Sequence, residues 1–181
     1  MDHIAPSKSL YTRNLRLLEA KDPTFVREIT QSVTPRRELE VFSARSGTPT
    51  LRYGETLLHS KIDPAREARK VADRSRAAER ESLYDVTVIF GFGLGYHLEA
   101  LLADGDEPVV VVEPDLSFFL GALHFRNLSA ALGNPRTNLV LGKPTRVVID
   151  LLNALDLRYP VPIAPPALER HNESYFRELR R

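Results

Sequence analysis

Val86-Thr87-Val88-Ile89-Phe90-Gly91-Phe92-Gly93-Leu94-Gly95-Tyr96-His97-Leu98-Glu99-Ala100-Leu101-Leu102 decides the fold. A β-branched apolar run over 86–90 gives way to three alternate glycines, Gly91, Gly93 and Gly95, and an apolar-sided stretch over 96–103 follows. A second apolar run, 109–112, ends on Glu113-Pro114-Asp115. Such an order predicts strand, glycine turn, helix and second strand, with an acid where the second strand ends. Open α/β sheets hold nucleotide-type ligands in this way. Glycine allows the tight turn and the close approach of backbone N–H groups, and the helix N-terminus favours negative charge. The pattern defines a kind of site and names no reaction.

Composition narrows the class. A chain of 181 residues, 43% apolar and 27% charged, suits one soluble domain with a buried core, or a domain with a small appendage. Its 25 basic and 24 acidic residues nearly cancel, so no global field recruits nucleic acid or a membrane surface. The absence of cysteine excludes disulfides, thiol nucleophiles and thiolate metal sites. No apolar run approaches the roughly 20 residues of a membrane span, and the N-terminus carries no signal-peptide core, so a cytoplasmic protein is expected. His3, His59, His97, His124 and His171 stand at no metal-ligand spacing, and no metal site is expected.

Upstream of the glycine turn, residues 10–20 read as a helix, and Asp22-Pro23 opens a second one through residue 29. Residues 39–44 and 50–53 alternate apolar and polar around a five-residue loop, the pattern of a β-hairpin. Asp63-Pro64 starts a helix to about residue 82, whose Ala65, Ala68, Val71, Ala72, Ser75 and Ala78 form a thin small-residue stripe. Arg66, Arg69, Lys70, Arg74, Arg76 and Arg80 share this helix with Glu67, Asp73, Glu79 and Glu81 and have no aromatic company. They read as a solvated, salt-bridged face rather than a nucleic-acid surface. Downstream, a helix over 116–125, a strand over 138–141 and a helix over 145–155 follow, the last with Val147, Val148, Leu151, Leu152 and Leu155 on one face. Prolines stiffen 159–166, and 168–181 reads as a polar helix. The expected fold is α/β. A small Rossmann-like parallel sheet with helices (63–181) carries an N-terminal helical and β-hairpin region (1–62), the hairpin being available to extend the sheet edge.

Leu57-Leu58-His59-Ser60-Lys61-Ile62-Asp63-Pro64-Ala65-Arg66-Glu67-Ala68 resembles the His-Ser-Lys-Tyr-Asp-Pro-x-x-Glu-Ala signature of the motility accessory factor (Maf) proteins, a family of flagellin glycosyltransferases. Val88 to Leu98 resembles that family's Gly-rich strand–turn, and Val111-Val112-Glu113-Pro114-Asp115 resembles the segment after it. The likeness covers about residues 38–126 and departs from the signature at Ile62, where an aromatic is usual. It implies the N-terminal domain of such an enzyme, with flagellin and the remaining domains of its own chain as partners. In that family a central domain, opened by a Gly-Pro-Ser-Leu turn, transfers a CMP-linked nonulosonic acid to flagellin Ser/Thr. None of the nine glycines here belongs to such a turn, so the resemblance places the transferase centre beyond Arg181 and leaves the catalytic residues of this chain unknown.

Each candidate residue carries a functional and a structural reading. Gly91, Gly93 and Gly95 cradle a nucleotide or nucleotide-sugar, or form a turn kept for chain geometry. Glu113, 18 positions past Gly95, binds a ribose or sits as a charge at the next helix start. Asp115 reads as that helix's cap. His97 faces a ligand from the first helical turn or packs inside, and Tyr96 packs at the helix start. In the signature cluster Asp63 is a ready N-cap, and Lys61 can reach a phosphate or carboxylate or stay solvated. His59, Ser60 and Asp63 form no triad, because neighbours on an extended segment point oppositely. The cluster can instead seal its segment onto the sheet. Two alternative functions stand beside the leading one. One is an S-adenosylmethionine-dependent methyltransferase-like domain, against which Ile89 occupies the usual acid position two residues before the first glycine. The other is a non-catalytic interaction module docking through the alanine stripe.

Overall fold

The computed structural model describes residues 2–36, 39–79, 86–154, 160–163 and 165–180. Strand β4 (Val86–Phe90) and β5 (Val109–Glu113) are buried at every position, as expected for near-continuous apolar runs covered on both faces. They pair in parallel, β5 pairs in parallel with β6 (Thr137–Leu141), and β7 (Pro160–Ile163) lies parallel on the other side of β4. The strand order β6-β5-β4-β7 is that of a Rossmann-like half-sheet. Its crossovers run through α4 (Tyr96–Ala103) between β4 and β5, and through α5 (Leu116–Ala122) and α6 (Ser129–Leu132) between β5 and β6. Helix α7 (Thr145–Ala154) follows β6.

Side chains alternate across this sheet. Ile89, Val109 and Val111 join the larger core with Phe92, Leu98, Phe118 and Phe119, whereas Val86, Val88, Phe90, Val110 and Val112 face Val148 and Phe176. Helix α3 (Pro64–Glu79) lies against α4, with Ala68, Ala72 and Ser75 buried along its stripe. The small side chains let the two helices approach closely. The stripe is used within the chain, which overturns the reading of it as an external docking face. The salt-bridged reading of α3 also needs correction. Among the described residues, its ion pairs are those of Arg76 with Asp73 and Asp104, and Arg80 and Glu81 lie outside the described residues.

The N-terminal region forms its own sheet. Helix α1 (Lys8–Lys21) is capped by Ser7 and α2 (Pro23–Ser32) by Asp22, whose Oδ1 accepts from Phe25 N–H at 2.9 Å. Strands β1 (Glu40–Ser43) and β2 (Pro49–Tyr53) form the expected hairpin, and the short β3 (Thr56–Leu57) adds to β2 after a turn at Gly54 (φ 54°). The three strands stay separate from the parallel sheet, so the hairpin does not extend its edge. Their apolar side, Val41, Leu51 and Leu58, enters the larger core together with Leu18, Val26 and Ile29.

Two further expectations change. The segment 159–166, expected as extended and stiff, carries a strand at 160–163. It lies at the sheet edge, where a missing N–H is tolerated. The polar helix expected over 168–181 is two pieces, α8 (Pro166–His171) and α9 (Glu173–Leu179), broken at Asn172 (φ −128°). On α7, Val148 is buried, while Val147 and Leu151 are 40% and 41% exposed, so the predicted common face splits; Leu155 lies outside the described residues.

Candidate functional site

The strand order reverses between β4 and β7, and ligands of open α/β sheets settle at such a switch point, beyond the C-terminal strand ends. Gly91, Gly93 and Gly95 stand at this edge with φ of 89°, 57° and 79°, backbone that side chains avoid. The turn is filled by the protein itself. A Cβ at Gly93 would lie 2.5 Å from Nε2 of His59, and one at Gly91 would lie 3.0 Å from Cβ of Leu168, a residue of α8. At Gly95 it would meet Leu128 at 2.8 Å. A side chain at any of the three glycines would therefore collide with another part of the chain.

His59 forms the main seal. Its Nε2 accepts the Leu94 N–H at 2.9 Å, and its carbonyl accepts the buried Thr50 hydroxyl at 3.0 Å, so one residue ties β2 to the glycine turn. Accepting at Nε2 requires that nitrogen to be unprotonated. Burial, then His97 and Arg126, hold the imidazole well below its ordinary pKa. His97 is also buried and stacks on His59, with ring centroids 6.0 Å apart. Burial lowers its pKa to about 4. Both rings are neutral at pH 7, and among the described residues neither nitrogen of His97 nor Nδ1 of His59 has a hydrogen-bonding partner. Tyr96 packs at the helix start as expected: its hydroxyl donates to the Pro49 carbonyl at 2.7 Å, and Arg126 lies 3.7 Å above its ring while pairing with Glu99.

Glu113 is held in part by the backbone N–H at the start of α5. It is 1% exposed, and its two oxygens accept the Phe92 and Asp115 N–H groups, each at 3.0 Å. It ties the glycine turn to the end of its own strand. Burial raises its pKa to about 7 against the opposing pull of these two donors. Asp115 is the cap of α5, accepting from Phe118 N–H at 2.9 Å and from Ser117 Oγ at 3.0 Å, and it pairs with Arg36. Burial alone would raise its pKa; those donors and Arg36 outweigh it and hold the carboxyl below its ordinary value.

The rest of the signature shapes the approach to α3. Asp63 caps that helix through Arg66 N–H at 2.9 Å. Ser60 Oγ accepts the Ile62 and Asp63 N–H groups, and Glu67 accepts the Ser60 N–H at 2.8 Å. Lys61 is exposed, and its carbonyl accepts Arg45 N–H at 3.1 Å. Among the described residues the side chains of His59, Ser60 and Asp63 make no hydrogen bond to one another; the contact within the group is that of the Asp63 backbone N–H with Ser60 Oγ. Sequence reasoning missed Leu168 and the Arg36–Asp115 pair, and also the aromatic group of Tyr53, Phe118 and His171, whose ring centroids lie 4.8 and 5.0 Å apart around His171. Nothing in the local pattern of 166–171 signals that its leucine lands on the glycines.

The fold and this edge define a Rossmann-like α/β domain whose glycine turn packs against His59, Leu168 and Leu128. Residues 48–164 match the family of the glycosyltransferase Maf N-terminal domain, and the chain belongs to that family. An uncharacterized protein of Treponema pallidum (strain Nichols) is 28% identical over 185 residues, 96% of this chain; the chain spans 61% of that relative's length. The structure of the MAf glycosyltransferase from Magnetospirillum magneticum AMB-1 superposes with a TM-score of 0.61 at 16% identity, covering 94% of this chain and 35% of that one, and shares its fold. The matched span includes the signature and both glycine-turn strands. Among the described residues no helix is long and apolar enough to cross a membrane.

Proposed function

We propose that this chain serves a Maf-type glycosyltransferase as its positioning domain, organising the acceptor or the remaining domains while another part of the enzyme transfers sugar. The observation that carries the reading is the packing of the glycine turn: His59 and Leu168 pack onto Gly93 and Gly91, and the Leu94 and Phe92 N–H groups are taken by His59 and Glu113. A domain that held the donor there would keep that backbone open. In this reading the whole enzyme is cytoplasmic, the acceptor is flagellin Ser/Thr and the donor is a CMP-linked nonulosonic acid.

Two measurements test it. Calorimetric titration of the chain with CMP and with S-adenosylhomocysteine should give no saturable heat, and incubation with flagellin and activated sugar should give no transfer. Micromolar binding of CMP, or turnover by these 181 residues alone, would overturn the proposal. Micromolar binding of S-adenosylhomocysteine would instead favour a methyltransferase-like domain.

A further inference from the structure

A groove of about 500 Å³ runs along the exposed side of α3, beside the signature segment. Arg66, Lys70 and Arg74 line it at intervals of four residues, together with Ile62, Val71 and Pro166. All three cations are exposed, and among the described residues none makes an ion pair. Two carboxylates also line it and are turned to the backbone: Asp63 takes the Arg66 N–H and Glu67 the Ser60 N–H. Ile62 is 53% exposed, unusual for so large an apolar side chain, and it stands where the family signature carries an aromatic.

We propose that this groove docks an extended, acidic segment of a protein partner, with carboxylates at alternate positions and apolar side chains between them. The spacing favours this partner. Four residues of helix rise about 6 Å, and two residues of extended chain advance about 6.6 Å, so alternate carboxylates meet successive cations in register. The intervening side chains point the opposite way, so their apolar contacts are with Ile62 and Pro166, which line the groove from outside α3. Nucleic acid fits less well: the groove offers no aromatic platform for bases, and the chain's formal charge is only +1. The inference is independent of whether the glycine turn binds a ligand.

Fluorescence anisotropy with a labelled acetyl-Glu-Val-Glu-Leu-Glu-Val-Glu-amide peptide tests it, using its glutamine counterpart, a short oligothymidylate and phosphatidylglycerol vesicles as comparators. The intact chain should bind the acidic peptide, and binding should weaken with salt. The triple variant Arg66→Gln, Lys70→Gln, Arg74→Gln should lose roughly tenfold in affinity, since three exposed ion pairs go together. Ile62→Ser should weaken binding at constant charge. A triple variant with the same charge change on α1 and α2, Arg13→Gln, Arg16→Gln, Arg27→Gln, should bind as the parent does. Circular dichroism melts that superpose for all variants separate docking from folding. Absence of peptide binding, an equal loss in the α1–α2 variant, equal affinity for the glutamine peptide, or tighter binding of oligothymidylate or vesicles would each overturn the proposal.

Discussion

Gly93 and His59 are packed on each other at the glycine turn. At φ 57°, with a Cβ position 2.5 Å from the imidazole, Gly93→Ala must strain the backbone and displace His59 from the Leu94 N–H. A cost of about 2–4 kcal/mol is expected in urea denaturation. His59→Ala alone strands the Leu94 N–H and leaves a cavity, yet it also makes room, so the double variant should cost clearly less than the sum. Additive costs would show that the two residues are not packed on each other. Glu113 and His97 give the residue scale its pH dependence. Glu113 is raised from 4.5 to about 7, so its contribution is full below pH 4.5 and is lost as pH rises through 7, by roughly 3 kcal/mol. His97 is lowered from 6.5 to about 4, so its contribution is full above pH 6.5 and is lost as pH falls through 4, and His59 acts in the same direction. The opposed slopes partly cancel in the parent chain. Glu113→Gln should therefore steepen the rise of stability with pH between about 4.5 and 7, and His97→Leu should flatten it. Curves for both variants running parallel to the parent would refute the assignment. Sequence reading placed these residues near one another but gave them partly wrong neighbours, because the contacts of His59, Leu168 and Glu113 are made across the fold.

At the scale of elements, what could be read from the sequence was what repeats locally. The periodicities of α1, α3 and α4, the caps Asp22, Asp63 and Asp115 and the hairpin turn are patterns within a few residues, and each stands where expected. Strand β3 has two residues and no pattern to show, and β7 carries prolines that only its edge position accommodates. Long-range polar ties were equally silent. Asn14 sits buried on the inner side of α1, donating to the Leu123 and Arg126 carbonyls at 2.8 Å and accepting from Leu128 N–H at 3.1 Å. By itself it reads as an interruption of an apolar stripe; in the fold it anchors α1 to the loop after α5. Asn14→Leu leaves three buried backbone groups without partners and should lower stability by about 2–4 kcal/mol, visible as a fall in melting temperature. A neutral outcome would mean that those groups find other partners. On α3, Ala72→Leu should cost about 1–3 kcal/mol by forcing α3 from α4, whereas the same change at exposed Arg69 should be nearly neutral.

At the scale of the molecule, the division at residue 62 follows a change of pattern in the sequence, while the packing runs through it. Leu18, Val26, Ile29, Val41, Leu51 and Leu58 from the first part share one core with Ile89, Phe92, Val111, Phe119 and Leu141 from the second. Residues 2–4 pair antiparallel beside β1 through the Ile4 and Ser43 N–H bonds at 2.7 and 2.8 Å, and His59 crosses from the small sheet into the glycine turn. A segment of about 60 residues buries little apolar surface by itself, and the net stability of a domain is about 5–15 kcal/mol, so such a segment has little to hold it folded once its shared face is exposed. The two parts should then unfold together. Urea titration followed by far-ultraviolet circular dichroism and by tyrosine fluorescence should give one transition with coincident midpoints, Tyr11 and Tyr53 lying in the first part and Tyr84, Tyr96, Tyr159 and Tyr175 in the second. Removing residues 1–39 should leave a chain without cooperative unfolding, because Leu18, Val26, Ile29 and Leu39 would go from the core together. Separate midpoints for the two probes, or a truncated chain that melts cooperatively, would make 1–62 a domain in its own right and reduce the shared core to an interface between two independent folds.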